Sequence, residues 1–408
     1  MKESLNFAVI GLGQRGKGLL ESILIPQNDV NIVGVCDGYA DRAAEEGKIV
    51  KEKKGNDPFI TTDYKKIFDI KDLDCALIST AWEDHLKIAV YALEKGVAVA
   101  LEVGGAFSIE ELWELVRTQE RTGTPFMFME NCCFDKAELF ATNIARKGLF
   151  GDLVHCEGAY SHDLRWEISS GIQIRHYRLR NYIHRNCENY PTHEIGPIAK
   201  LLDINRGNRF LSLVSVASKA EGLKRYIKDN ADKFPELEGK EFNQGDVVTT
   251  IIKCANGETV TIKLDTTLPR FYSRNFTVRG TKGMYSGDTN MVYFDGDEEG
   301  YDTLEMNRKF FDNGKKYEDK YMPEMWKSVT KEQLDAGHGG IDYFEFRCLI
   351  DCLKKGEEPP IDVYDAATWM AVSILSEQSI IKGGAPVCFP DFTEGKWMVR
   401  ERKDVCKF

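Results

Sequence analysis

Residues 6–16 read NFAVIGLGQRG, an apolar run that ends in Gly11-Leu12-Gly13-Gln14-Arg15-Gly16. The run has the texture of a buried strand, and the RGKGLLESIL that follows has that of a helix. Each glycine of such a turn has a physical purpose. Gly11 permits the tight turn, Gly13 lets a pyrophosphate approach the backbone, and Gly16 lets helix pack closely on strand, with the helix N-terminus facing the phosphates. The pattern alone is a weak signal. Here an acid, Asp37, follows about 20 residues on, at the end of the next apolar run VNIVGVCD. There it would accept from ribose hydroxyls and repel a 2′-phosphate, so the stretch predicts a dinucleotide-binding unit that takes NAD in preference to NADP.

Working outward, the same rhythm continues to residue 133. DCALIST is followed by EDHLKIAVYALEKG, VAVALEV by SIEELWELVRTQERTG, and PFMFMEN closes the series. Strands this apolar need helices on both faces. The prediction is a doubly wound parallel Rossmann sheet over residues 1–133, with ligands beyond the carboxyl ends of the strands. The segments that fall there include Trp82, Glu83, Asp84 and His85 after one strand and Glu102-Val103-Gly104 after the next. For Asp84 and His85 the plainer reading, a helix cap and a packed helix residue, stands beside a place bordering the cofactor.

Past residue 150 the texture turns β-branched and alternating: LVHCEGAY, FLSLVSVASK, DVVTTIIKC, ETVTIKLDT, RNFTVRG and GMYSGD. Ala255-Asn256-Gly257 joins two of these runs as a hairpin signal. Residues 134–408 are therefore expected to form a second α/β domain for substrate and self-association, with a large open, predominantly antiparallel sheet. Late helices are predicted from about Asp342 to Lys355 and from Ala366 to Lys382, free to pack back on the first domain. Residues 297–336, charged and Gly/Lys/Glu-rich, stay unassigned between an insertion and an arm. His338, within Gly337-His338-Gly339-Gly340, sits in a backbone-permissive loop that fits either a turn or a close approach to a ligand.

The chain has 408 residues, 42% of them hydrophobic, and a formal net charge of −11, which argues against nucleic acid or an anionic membrane surface as a partner. No apolar stretch approaches the roughly 20 residues of a spanning helix, and no secretory leader is evident, so a cytoplasmic protein is expected. The 11 cysteines are odd in number and include no C-x-x-C pair, which predicts reduced thiols and neither a disulfide framework nor a metal site. His155 and His162 are seven residues apart in a strand-like stretch, expected to face opposite ways and to share no metal.

GLGQRG, CDGYADRA, STAWEDH and ALEKGVAVALE together resemble the Gfo/Idh/MocA oxidoreductases along the whole chain. Many dehydrogenases of that family carry Glu-Lys-Pro and an Asp-x-x-x-His; this chain has Glu102-Val103-Gly104 and Asn189-Tyr190-Pro191-Thr192-His193. The missing lysine weakens a simple alcohol-oxidation reading. MENCCF, CEGAYSHDLR, ENYPTHEIGPIAKLL, GDVVTTIIKCANGET, DTTLPRFYSRNFTVRGTKG and GHGGIDY resemble glycoside hydrolase family 109 more narrowly. One departure is Glu194-Ile195, with Cys187-Glu188 just upstream, where that family usually reads Gly-Leu after Tyr-Pro-Thr-His.

The resemblance implies NAD contacts at Arg15, Gly16, Asp37, Trp82 to His85, Glu102, Val103 and Asn131, and substrate contacts at Tyr160, Arg178, Tyr190, Pro191, Thr192, His193 and Tyr272. From chemistry alone His193 is the best general base, with Tyr160 and Tyr190 as further proton carriers. The activity implied is an α-N-acetylgalactosaminidase-like hydrolysis with retention, by transient oxidation at sugar C3, elimination across C1–C2, addition of water and re-reduction. Two alternatives are an NAD-dependent sugar dehydrogenase and a non-catalytic NAD-binding regulator. A glycoside or sugar is the expected small-molecule partner, and the open sheet predicts a homo-oligomer, dimer or tetramer.

Overall fold

A computed structural model describes residues 2–297 and 308–408. It divides into two compact units: residues 1–134 with 329–367, and 135–328 with 368–408. Relative to a single cut after residue 133, the difference is the 329–367 segment, which clusters with the first unit.

In the first unit, β1 (Leu5–Ile10), β2 (Val30–Cys36), β3 (Phe59–Thr61), β4 (Cys75–Ile78), β5 (Ala98–Glu102) and β6 (Phe126–Met129) form one sheet in the order β3-β2-β1-β4-β5-β6. Every pair is parallel, as the doubly wound reading requires. Residues of β4 and β5 are buried throughout, because helices cover both faces of the sheet. The strand order reverses between β1 and β4, and the glycine turn lies at the carboxyl end of β1, at this switch point. The Ile109–Thr122 helix begins in a capping box of Ser108 with Glu111 and ends on left-handed Gly123. The helix after β1 is short: Gln14–Leu19 is α-helical and Leu20–Leu24 continues as a π turn. From the 329–367 segment, the helix Ile341–Lys355 lies within one residue of its expected start and matches its expected end.

In the second unit, β7 (Leu153–Ser161), β8 (Phe210–Ala217), β9 (Val247–Cys254), β10 (Thr259–Asp265), β11 (Thr277–Gly280), β12 (Gly283–Ser286), β13 (Met291–Phe294) and β14 (Val387–Cys388) form a sheet ordered β13-β12-β11-β7-β10-β9-β8-β14. All its pairs are antiparallel except β7 with β10. The β9–β10 hairpin turns through Gly257 at φ 108°, the left-handed geometry that its Asn-Gly signal predicts. Along β9 every second residue is buried and those between face outward, so one face packs and the other stays open, with Val216 of β8 and Ile251 of β9 at 61% and 52% exposure. The helix Thr192–Leu201 lies against β7 so closely that a Cβ at Gly158 would sit 2.8 Å from the Glu194 carbonyl oxygen.

The unassigned stretch 297–336 resolves partly into short helices at Glu318–Tyr321, Glu324–Lys327 and Lys331–Asp335, while 298–307 lie outside the described residues. All 11 cysteines are free. Among the described residues no helix is long and apolar enough to cross a membrane.

Candidate active site

In the first unit the glycine turn is built as its chemistry demands. Gly11 sits at φ 96°, and a Cβ there would lie 2.5 Å from the Ser79 carbonyl. At Gly16 a Cβ would be 1.9 Å from the Gly11 oxygen, so helix and strand touch with no room for a side chain. Around Gly13, by contrast, the nearest atom to a Cβ would be Arg42 Nη1 at 3.7 Å, which leaves that backbone open to a ligand. Gln14 opens the helix. Asp37 is fixed at the tip of β2: the Leu12 and Tyr39 N–H groups donate to its two oxygens at 2.7 and 2.8 Å. Each oxygen keeps a further lone pair for a hydroxyl donor. An open backbone, a helix N-terminus and an anchored acid fit a dinucleotide.

Arg15 is committed within the unit. Its Nε donates to Glu102 at 2.7 Å, and its two terminal nitrogens form a fork on Asp342 at 2.7 and 3.0 Å. Asn131 donates to the same carboxylate at 2.7 Å, and His338 Nδ1 lies 2.8 Å from it. Asp342 therefore gathers Arg15, Asn131 and His338; burial would raise its pKa, but His338 and Arg15 outweigh it and hold the carboxyl far below the ordinary carboxylate range. Glu345, buried nearby, is pushed the other way by desolvation and by Asp342 and Glu102.

His85 is a packed helix residue, as its plainer reading had it. Its Nε2 sits 2.9 Å from the Thr80 carbonyl, and burial pushes its pKa down to about 4, so the ring is neutral with Nε2–H donating. Nδ1 is then a buried acceptor with no hydrogen-bond partner among the described residues. A Cβ at Gly104 would be 2.4 Å from Trp82 Cδ1 and 3.1 Å from this Nδ1, so the chain after β5 closes on both rings. Val103 is buried, and Asp84 faces outward in an ion pair with Lys87 at 2.8 Å. Glu83 occupies the first turn of the same helix.

In the second unit, β7 and the loop before the Thr192–Leu201 helix bring three expected proton carriers together. Ring centroids of Tyr160 and Tyr190 are 4.6 Å apart, those of Tyr190 and His193 4.8 Å, and those of Tyr160 and His193 5.5 Å. The Tyr190 hydroxyl lies 3.5 Å from His193 Nε2. Arg178 lies over the Tyr190 ring at 4.8 Å with its Nε 3.3 Å from Glu167, and these neighbours outweigh its burial and keep it cationic. Pro191 and Thr192 are buried at the helix start, where Pro191 is the N-cap.

His162, by its spacing from His155 a poor metal ligand, belongs to this cluster. Its Nδ1 lies 3.3 Å from the Tyr160 hydroxyl, and its ring packs edge-on against Tyr272 at 5.3 Å. Burial, with Arg178 next, pushes its pKa below the usual histidine value. Tyr160-x-His162 places both side chains on one side of an extended chain, a period-two signal that was available. His155 instead bonds Thr259 at 2.8 Å. Asp342, Glu345 and Glu167 were also missed, since nothing local marks them.

A six-stranded Rossmann sheet with an open glycine turn, followed by a large open sheet, defines the class of NAD-binding Gfo/Idh/MocA oxidoreductase folds. Residues 5–129 match the model for the oxidoreductase family, NAD-binding Rossmann fold. Residues 134–399 match that for the glycosyl hydrolase 109 C-terminal domain, and the chain belongs to glycosyl hydrolase family 109. A glycosyl hydrolase family 109 protein of Stenotrophomonas maltophilia is 37% identical, covering 99% of this chain and 92% of that one. An alpha-N-acetylgalactosaminidase of Tannerella forsythia is 36% identical, covering 97% and 88%. Among solved structures, levoglucosan dehydrogenase in complex with NADH shares the fold at a TM-score of 0.71 and 19% identity, covering 95% of this chain and all of that one.

Proposed function

We propose that this protein is an NAD-dependent glycosidase that hydrolyses α-N-acetylgalactosaminides or closely related glycosides with retention, without net oxidation. The observation that carries the reading is the cluster of Tyr160, Tyr190 and His193 beside a buried, cationic Arg178. Gly11, Gly13, Gly16, Asp37 and the segments at Trp82–His85 and Glu102–Val103 would hold NAD, which would supply a reversible oxidation of the sugar C3 carbinol. Asn131 and Arg15, held by Asp342 and Glu102, would border the cofactor. His193 takes the C3 hydroxyl proton. A ketone at C3 acidifies the C2 proton, which Tyr160 removes with His162 accepting from its hydroxyl. Tyr190 carries a proton to the departing oxygen at C1. Water then adds to the enone and the steps reverse. Arg178, Thr192 and Tyr272 orient the sugar hydroxyls. No pair of carboxylates flanking the glycosidic bond is required, unlike in most glycosidases.

The relatives named alpha-N-acetylgalactosaminidase support the sugar, and the absence of the lysine at Val103 supports a redox-neutral cycle over a dehydrogenase. Free cysteines throughout suit the cytoplasm, and the open face with Val216 and Ile251 suits pairing of copies. The test is incubation with p-nitrophenyl α- and β-glycosides, following p-nitrophenol and NADH absorbance together. Aglycone release without NADH build-up is expected. NADH accumulating from free sugars with no aglycone release would refute the reading in favour of a dehydrogenase.

A further inference from the structure

Glu194 follows Tyr190-Pro191-Thr192-His193 directly, and Glu188 stands six residues before it. Both side chains are buried, at 1% and 0% exposure, and their carboxyls lie against each other. Glu194 Oε2 accepts from the Lys263 N–H at 2.7 Å, and the Tyr160 N–H approaches the same carboxyl. Glu188 is approached by the N–H groups of Tyr190 and Leu264, but among the described residues neither of its oxygens receives a well-aligned donor. Two ionised carboxylates in contact, both out of water, repel strongly, whereas one proton held between them turns repulsion into a hydrogen bond. One carboxyl thus faces the backbone of Tyr160 and the other that of Tyr190.

Resting on the glycosidase reading above, we propose that Glu188 and Glu194 share one proton and so act as positioning residues, tying Tyr160 to the Tyr190–His193 segment. Desolvation supports this by pushing Glu188 up to about 8, and desolvation with the neighbouring Glu188 raises Glu194 well above the ordinary carboxylate range. The groups facing the pair are Tyr160 and Lys263 from β7 and β10, Tyr182 from the Arg178–His184 helix, and Cys187 alongside. Ser376 meets the Glu188 N–H at 2.8 Å, and the next residue, Glu377, pairs with Arg185 at 2.9 Å. Arg185 is thereby already neutralised. A raised carboxyl pKa means that the folded state keeps a proton which the unfolded chain releases. The stabilisation is therefore complete below the ordinary glutamate value of 4.5 and is lost as pH rises toward about 8.

The experiment compares wild type with Glu194→Gln, Glu194→Ala and the double change Glu188→Gln/Glu194→Gln. Infrared difference spectra across the pH range should show a protonated carboxyl band in wild type that is present at neutral pH, weakens as pH rises past about 8 and is absent in the double variant. The alkaline fall in melting temperature should flatten in the double variant. At fixed neutral pH, the ring-current shift of the His193 imidazole should be lost in Glu194→Ala and kept in Glu194→Gln. Activity should fall about 100-fold in Glu194→Ala, mostly in kcat, with Glu194→Gln recovering most of it and losing the alkaline limb. No protonated band in wild type, or an unchanged His193 shift in Glu194→Ala, overturns the proposal. Wild type that shows the band and the shift but turns over no glycoside overturns the glycosidase reading alone.

Discussion

Two single-methyl substitutions in one turn should have opposite consequences. In Gly16→Ala the new Cβ would lie 1.9 Å from the Gly11 oxygen and 2.4 Å from Ser79 Oγ, the two atoms of a hydrogen bond 2.7 Å long. Both contacts are far inside van der Waals range, and the closer one is backbone, so the helix must move away from β1. Overpacking of this kind costs about 1–3 kcal/mol and loss of the bond about 1 kcal/mol more. The sum, about 2–4 kcal/mol, corresponds to a fall in Tm of roughly 4–16 °C for a unit of this size. In Gly13→Ala the Cβ meets nothing nearer than 3.7 Å, and the residue's φ of −67° suits alanine. The entropy gained by removing a glycine offsets the weaker N-cap, so Tm should stay within about 2 °C. The same methyl stands where a pyrophosphate would approach, and NAD affinity should fall at least about tenfold. Thermal unfolding of the apoprotein and calorimetric titration with NAD measure the two effects separately. A Gly13→Ala variant that binds NAD like wild type would refute the assignment of this turn to the pyrophosphate. A Gly16→Ala variant as stable as wild type would refute the packing argument.

Tyr160→Phe should retain fold and NAD binding while lowering glycosidase kcat by about 10²–10⁴-fold, with aglycone release as the assay; a loss under threefold removes Tyr160 from proton transfer. His85 is held neutral in the fold, with a pKa near 4 against a usual 6.5. Its contribution to stability, roughly 3 kcal/mol, is present above about pH 6.5 and lost as pH falls toward 4. His85→Gln should therefore shallow the acid side of a chemical denaturation series, and an unchanged acid slope would refute the shift. Ile251→Lys puts a charge at a half-exposed position on the open face of the second sheet and should reduce any oligomer to monomer in light scattering, with the melting curve unchanged.

The parts legible in the sequence are those whose chemistry is local. The glycine turn, Asp37 at the end of β2 and the Asn256-Gly257 hairpin each announce themselves within a few residues, because turn geometry and strand period are set by neighbours along the chain. What escaped was non-local. Arg15 pairs with Asp342 across 327 residues, and the parallel β7–β10 pairing crosses 104 residues at His155 and Thr259. Neither leaves a periodic trace. For His162 the seven-residue spacing from His155 carries no site, whereas its two-residue spacing from Tyr160 is the informative one. Glu188 and Glu194 look like ordinary surface acids until the turn at Tyr190–Pro191 folds them together.

The chain lacks a lysine at position 103, and the first unit explains why one is poorly tolerated there. Val103 is 4% exposed, and the adjacent Glu102 carboxylate is already occupied, by Arg15 Nε at 2.7 Å and by the Val103 N–H at 2.9 Å. An ammonium introduced by Val103→Lys would share Glu102 with Arg15 or be buried without a partner. A buried, unpaired charge costs about 3–5 kcal/mol, and deprotonating it instead forfeits its use as an acid. A dehydrogenase sends out one proton per turnover and gains from such a lysine. A redox-neutral glycosidase returns each proton it borrows, and shuttling groups of the kind seen at Tyr160, Tyr190 and His193 suffice. Val103→Lys should therefore lower Tm by several degrees and yield no steady NADH production from free sugars, as read by unfolding and by absorbance. A variant as stable as wild type that oxidises sugars continuously would show that the missing lysine alone separates this site from a dehydrogenase, and would refute the redox-neutral reading of the proton carriers.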